Sequence, residues 1–386
     1  MMNISISEKR LRNVLYVFIL SSYIYLLYGQ VAERLVLVLS VFLLVVYAKK
    51  LKLVISNEID MLLIVHFMFI LSFFLDAILY MTLLPIVYGV AMLIVYFICK
   101  NVMEKNAGMG TYKSILEIIW IFSLVILVLS VITSPIKFSN YAGVFGNSNG
   151  MGTLAATLGS TLASLLAHQL WRGKKRKWWM WIYYIVALFF CVISSCRSAL
   201  IIFVFQIVVL IIAWIKGMKT YRKRFITSSV LFALGILLLV YLNIKLNLFE
   251  AIYDSIIEKF FRLAERGDVS NGRMDMWLYI FEESKFFGSG ELVLKEKATH
   301  NVYFGLMNQF GKFTGILYFV VIVIICYRAV FFTLYYQNFE YNFLPVMMAA
   351  NFFVGSMVEN FLMTPSMLLF YLCIPIKKIY MKGIGQ

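Results

Sequence analysis

Charge is scarce in this sequence. Only 14% of its 386 residues are Asp, Glu, Lys or Arg, against about 25% in soluble domains. The apolar share is 62%, where roughly 45–50% is usual. A soluble fold of this length would have to hide more apolar surface than its interior can hold, so hydrocarbon is the solvent for most of the chain. Proline is also sparse. Five prolines leave little room for the paired, Gly/Pro-broken helices expected in an alternating-access transporter. The five cysteines, Cys99, Cys191, Cys196, Cys326 and Cys373, show no Cys-x-x-Cys spacing and read as small apolar residues or idle thiols. Of three histidines, His66 and His168 fall inside apolar runs. Neither a His-x-x-x-His nor an Asp-x-Asp pair occurs, which speaks against metal catalysis. A Gly-x-x-x-x-Gly-Lys-[Ser/Thr] phosphate loop is missing too, weakening an ATP-driven reading. No internal repeat of 20–50 residues is visible.

What remains is long apolar runs. A membrane-crossing helix needs about 20 mostly apolar residues. Cutting at charges and turn residues predicts twelve spans, 13–28, 35–48, 61–79, 83–99, 115–133, 149–170, 178–195, 198–215, 225–243, 303–327, 343–361 and 364–376. The expected fold is therefore an all-α polytopic membrane protein, a single domain over 1–386. Lys and Arg outnumber Asp and Glu by 35 to 19. In a soluble protein that would suggest nucleic acid; here the distribution argues topology instead. With the N-terminus inside, 23 of the 35 basic residues lie on the cytoplasmic side, so both termini are expected there. The first span follows basic residues yet has no small-x-small cleavage site after it, and is expected to be retained. Trp178, Trp179 and Trp181 beside the Arg172–Lys177 cluster read as an interfacial anchor. Ala155, Gly159, Ala163 and Ala167 put a small-residue stripe on the sixth span, which lets helix backbones approach closely.

One long segment, 244–301, lies off the membrane between the ninth and tenth spans, on the outer face. In 250–266, Ile252, Ile256, Phe260 and Leu263 recur at helical spacing. In 274–284, Met276, Trp277, Ile280 and Phe281 form a stripe opposite Asp275, Glu282 and Glu283. Two amphipathic helices, lying on or capping the outer membrane surface, account for both patterns. Around this loop sit three unusual groups. Arg197 lies in the polar notch Ser194-Ser195-Cys196-Arg197-Ser198 between two apolar runs, at real desolvation cost. Arg273 follows Gly272 and opens the second amphipathic helix, and His300-Asn301 closes the loop. Guanidinium forks match phosphate and stay charged, while an imidazole exchanges protons near neutrality. A diphosphate-linked substrate with a hydroxyl acceptor would use both. Asp76 and Glu359, near the outer ends of their spans, read equally as counter-ions to Arg197, as a proton path, or as interfacial residues reaching water.

Four stretches in order resemble the bacterial O-antigen polymerase and O-antigen ligase family. Phe145-Gly146-Asn147-Ser148-Asn149-Gly150 is similar to that family's Phe-Gly-Asn-Pro-Asn turn, with Ser148 in place of Pro. Ser195-Cys196-Arg197-Ser198 resembles its Ser-x-Arg-[Ser/Thr] notch; the ligase form continues to a Leu where this chain has Ile201. Gly272-Arg273, Trp277 and Gly288-Ser289-Gly290 resemble its Gly-Arg…Trp…Gly-x-Gly loop. His300-Asn301, nine residues, Gly311 and Thr314 resemble its His-Asn-x9-Gly-x-x-[Gly/Thr/Tyr] pattern. The likeness covers about 140–330; the first 130 residues share only their apolarity.

The resemblance implies an inverting glycosyl transfer, independent of metal or other cofactor, on the outer face of the bacterial cytoplasmic membrane. The donor would be an undecaprenyl-diphosphate-linked oligosaccharide. In a polymerase of O-antigen, capsule or exopolysaccharide the acceptor is another lipid-linked repeat unit; in a ligase it is the lipid A core. Arg197 and Arg273 would hold the diphosphate and His300 would orient or deprotonate the hydroxyl, with Asp268 or Asp275 as the alternative base. Asn147, Asn149 and Asn301 would hydrogen-bond sugar or phosphate oxygens. A chain-length-regulating co-polymerase and a flippase are the implied protein partners. The Asn-Ser-Asn turn and short chain favour polymerase over ligase, and the reading from another class is a lipid-linked oligosaccharide transporter.

Overall fold

The computed structural model describes residues 61–90, 92, 93, 96, 109–173, 177–220, 261, 272–288, 292–294 and 299–358. The expected spans 13–28, 35–48, 225–243 and 364–376 lie outside these residues, as does the first amphipathic stretch apart from Phe261. Among the described residues the regular structure is helical, with no strand. The helices include α1 (Met61–Tyr80), α2 (Met109–Thr133), α3 (Ser148–Trp171), α4 (Trp178–Ser194), α5 (Arg197–Thr220), α6 (Arg273–Glu283), α7 (Val302–Phe310), α8 (Lys312–Tyr335) and α9 (Leu344–Val358), and residues 84–90 are helical as well. Five of them, α1, α2, α3, α5 and α8, contain stretches long and apolar enough to cross a membrane, and α4 and α9 are shorter apolar helices. The chain is a helical membrane protein.

One expected span is corrected. The apolar run 303–327 is not a single helix: it divides at Gly311, whose φ of +90° is closed to most L side chains. A Cβ there would lie 2.7 Å from the Gly288 nitrogen. The result is the short α7 followed by a span, α8, that begins nine residues later than expected and runs on to Tyr335.

The chain divides into two compact units; the described residues of 61–119, 272–336 and 352–358 belong to the first, and those of 120–261 and 337–351 to the second. In the second unit α3 is buried along nearly its whole length, which the small stripe makes possible. A Cβ at Gly152 would meet Cys196, one at Gly159 would fall 2.6 Å from the Phe203 ring, and one at Gly217 would meet the Leu170 carbonyl. Those three pairings advance together along both helices, so α3 and α5 run parallel with backbones in close approach. Hydroxyls and amides inside the packing are tied to one another. Ser160 Oγ accepts from Gln206 Nε2 at 2.8 Å and from Asn351 Nδ2 at 3.0 Å. Trp120 Nε1 donates to Thr161 Oγ1 at 3.0 Å, and His168 Nδ1 pairs with Asn342 Oδ1 at 3.0 Å.

In the first unit α1 packs on α7 and α8 through rings, Phe69 on Tyr318 and Phe73 on Phe310. Inside this packing Thr314 Oγ1 donates to Ser72 Oγ at 2.9 Å. At the head of α8 the orphan amides of the first turn are taken up by the preceding loop, Lys312 N–H to the Lys285 carbonyl and Phe313 N–H to that of Phe286, both 2.9 Å.

Gly159 gives the clearest test of the packing. Gly159→Leu is expected to destabilise the folded protein by about 1–3 kcal/mol or prevent its accumulation, since overpacking forces both backbones apart. Val204→Leu, on the exposed side of α5, serves as control. Thermal melts in detergent decide it; equal midpoints would show that the two helices are not in close contact at Gly159.

Candidate functional site

The residues singled out from sequence fall into two clusters, one in each unit. In the second unit the Phe145–Gly150 turn meets the Ser194–Ser198 notch. A single 3₁₀ turn, Gly143–Phe145, buries Phe145 and leads to left-handed Gly146 (φ 68°). Asn147 is then extended, and its Oδ1 accepts the Gly150 N–H at 2.7 Å, capping α3. Across from it, Ser195 is left-handed (φ 55°) and ends α4. Ser194 Oγ donates to the Cys191 carbonyl at 2.7 Å and accepts from Cys196 N–H at 3.3 Å, so the notch satisfies its own backbone. Arg197, half-buried, then takes the first position of α5. Just past the turn, in the first turns of α3, Gly152 packs on Cys196 and Ser194 of the notch.

The residues before the turn bind the same notch. Tyr141 N–H donates to the Ile193 carbonyl at 2.9 Å and Asn140 N–H to Ser195 Oγ at 3.2 Å. The Tyr141 hydroxyl donates to the Ser130 carbonyl at 2.6 Å, and burial pushes this phenol up in pKa, keeping it a donor. Because α3 and α5 are parallel, their N-termini lie at one end of the unit, both positive by the helix dipole.

The first-unit cluster contains Arg273, Asp275, His300, Asn301 and Asp76. Arg273 stands at the first position of α6 behind left-handed Gly272 (φ 77°), as Arg197 stands at the head of α5. Asp275 is exposed in that first turn, where a carboxylate is favoured by the dipole. One turn on, Trp277 Nε1 donates to the Thr299 carbonyl at 2.8 Å, and its ring lies on Phe304 at 5.5 Å with 2° between the planes. His300 follows directly, half-buried and left-handed with φ 47°, a conformation uncommon outside glycine. Asn301 holds its other side. Its Oδ1 accepts from the N–H groups of Tyr303 and Phe304, capping α7, and its Nδ2 donates to the Met357 carbonyl at 3.0 Å. At 4% exposure, with both ends of its amide bound to backbone, Asn301 shapes the turn that presents His300.

Asp76 is buried in α1 at 3% exposure, which sets it apart from an interfacial carboxylate reaching water. A Cβ on Gly288 would meet its Oδ1 and the Tyr80 ring, so the carboxylate lies directly beneath the loop that follows α6. Asp268 and Glu359 lie outside the described residues. Among the described residues no group of three His, Cys, Asp or Glu is placed to hold a metal ion.

Two positions escaped the sequence reading. Trp277 appeared in an apolar stripe and in the Gly-Arg…Trp…Gly-x-Gly likeness but was given no role, whereas it ties the Arg273 helix to the residue before His300; an indole needing a partner for its N–H was the available signal. The letters Gly146-Asn147-Ser148-Asn149-Gly150 also spell Gly-x-Ser-x-Gly. In a hydrolase the serine of that string sits on a strained turn between a strand and a helix. Here a 3₁₀ turn leads in, no strand occurs among the described residues, and the string serves to start α3.

No family model matches the chain, and no curated protein matches it either.

The Trp277 clamp is open to direct measurement. His66 and His168 are each 1% exposed, so diethyl pyrocarbonate acting on the folded protein should modify His300 selectively. Trp277→Phe keeps the ring on Phe304 but leaves the Thr299 carbonyl without its donor, at a cost of about 1–3 kcal/mol. Faster His300 modification, followed by mass spectrometry, is the expected outcome; an unchanged rate with unchanged melting would show that the indole N–H does not restrain His300.

Proposed function

We propose that this protein is a membrane glycosyltransferase that joins polyprenyl-diphosphate-linked repeat units, a polysaccharide polymerase acting on the outer face of the bacterial cytoplasmic membrane. The observation that carries the reading is the position of its two candidate arginines. Each opens a helix, Arg197 at α5 two residues after left-handed Ser195 and Arg273 at α6 directly after left-handed Gly272. A cation at a helix N-terminus is disfavoured by the dipole by about 0.3–1 kcal/mol. An anion bound at the same place reverses that sign, because guanidinium, dipole and orphan N–H groups then all attract it. At Arg197 the Asn147-capped N-terminus of α3 adds a second positive end.

In this reading the guanidinium groups bind the donor diphosphate and stabilise the charge that grows on it as the glycosidic bond breaks. A donor placed for that purpose is typically worth ~3–4 kcal/mol in the transition state. His300 takes the proton of the acceptor hydroxyl, a contribution on the order of 10²–10⁴ in rate. The sugar carbon inverts as the hydroxyl oxygen attacks from the side opposite the departing diphosphate. Asn147 and Asn149, at the head of α3, contact sugar or phosphate oxygens. Asp275 is the carboxylate base if His300 only binds.

Purified protein in vesicles, given its lipid-linked repeat unit without metal or nucleotide, should build a ladder of products on a gel. Arg273→Lys and Arg197→Lys should each slow it by about 10²–10³-fold, since an ammonium cannot reproduce the fork. His300→Ala should stop turnover while donor binding survives. Near-normal ladders in the lysine variants would remove those arginines from the site. Repeat units left at their original size would redirect the assignment to a ligase, tested with lipid A core, or to transport if that acceptor is also unmodified.

A further inference from the structure

The side chains of α6 fall into three sectors. Ile280 is fully buried and Met276 and Trp277 are half-buried, so this side caps the first unit. Asp275, Glu282 and Glu283 are exposed together on another side, with the Tyr279 ring, 49% exposed, among them. Between them, at i, i+4 and i+7, Met274, Leu278 and Phe281 are 55%, 52% and 47% exposed. The stripe expected from sequence is thereby split, for Phe281 leaves the capping side and joins the exposed one.

That exposed sector continues beyond the helix. Phe286 and Phe287, about half exposed, lie edge to face at 4.7 Å, and both rest on Phe313, at 5.7 and 5.1 Å. Phe313 is in the first turn of α8, and Ile316, Phe319 and Val323 carry an exposed apolar surface down that span. Two lysines border the aromatic group. Lys312 Nζ is 5.2 Å from the Phe281 ring centre and 3.3 Å from the Glu282 carbonyl; Lys285 Nζ is 5.2 Å above the ring of Tyr80, the last residue of α1. The C-terminal end of α6 thus sits where α1 ends and α8 begins.

We infer that α6 and residues 284–287 are seated in the bilayer interface, with Leu278, Phe281, Phe286 and Phe287 in contact with acyl chains and Lys285 and Lys312 at the phosphate level. The occupant is lipid because the surface is continuous with the exposed apolar side of α8, is edged by lysines whose ammonium groups lie over rings, and borders the carboxylate-bearing side of α6 as in a helix lying at an interface. The Arg273 end of the helix is then held at a set depth, independently of what the site binds.

The test places an environment-sensitive fluorophore on Leu278→Cys or Asp275→Cys in a full-length chain whose native cysteines are replaced, reconstituted in phosphatidylcholine–phosphatidylglycerol vesicles. A nitroxide near the headgroup end of the acyl chain should quench position 278 about threefold more than position 275, and aqueous iodide should show the reverse order. Equal iodide access at both positions would place the face in water and overturn the proposal. Protection of 278 from both quenchers would mean that protein covers it, another segment or a second copy, and would equally overturn it. Should the cysteine-free chain not fold, p-benzoylphenylalanine at position 278 of the otherwise unaltered chain answers the same question: a phospholipid-mass adduct supports the inference, and a protein–protein crosslink alone refutes it.

Discussion

The close approach of α3 and α5 is the constraint on which the second unit depends. Helices in lipid gain nothing from hiding apolar side chains from one another, so contact must come from dispersion at short range and from hydrogen bonds. Gly152, Gly159 and Gly217 supply the first by removing the Cβ atoms that would hold the backbones apart. Ser160, Gln206 and Asn351 supply the second. Parallel packing aligns two dipoles, which is electrostatically unfavourable, and concentrates positive potential at the end where Asn147 and Arg197 lie. The arrangement makes structural sense once an anion is expected there.

The first unit meets a different difficulty, that of bringing an irregular loop against two spans without stranding backbone groups. Gly288 and Gly311 pass with main chain against main chain, and the carbonyls of Lys285 and Phe286 satisfy the amides that begin α8. Downstream of that crossing every link bears on His300. Asn301 starts α7 and reaches the Met357 carbonyl, Tyr303 pairs its hydroxyl with Ser356 at 2.9 Å, and Trp277 holds Thr299. A histidine in a left-handed conformation costs energy, on the order of 1–3 kcal/mol, and these neighbours are what fix it.

Much of this was legible from composition, because hydrocarbon tolerates few charges and span limits are therefore written in the positions of Lys, Arg and turn residues. The starts of α1, α3, α4 and α5 lie within one residue of the expected ones. The break at Gly311 was hidden, since apolar residues flank it on both sides and periodicity is silent about a positive φ. Asn301 looked like a ligand for sugar, yet both ends of its amide are bound to backbone; an asparagine before an apolar run is a helix cap as readily as a binding group. The small-residue stripe foretold close packing but not its partner, as nothing in the spacing of Ala155, Gly159, Ala163 and Ala167 points to Phe203. For Arg273 both the charge and the place at a helix head were readable, whereas Arg197 was read as part of a polar notch and the structure puts it at the first position of α5.

The burial of α3 bears on how the protein is made. Among the five candidate spans it is the least apolar, with Thr153, Thr157, Ser160, Thr161, Ser164 and His168 all enclosed. A translocon judges each segment by partition into lipid, before its neighbours exist. Two of the polar partners come late, for Asn342 is 174 residues beyond His168 and Asn351 is 191 beyond Ser160. At five to twenty residues per second of synthesis, roughly ten to forty seconds separate these groups from their hydrogen bonds. The centre of the second unit is thus laid down early and completed only once Asn342 and Asn351 have emerged from the ribosome.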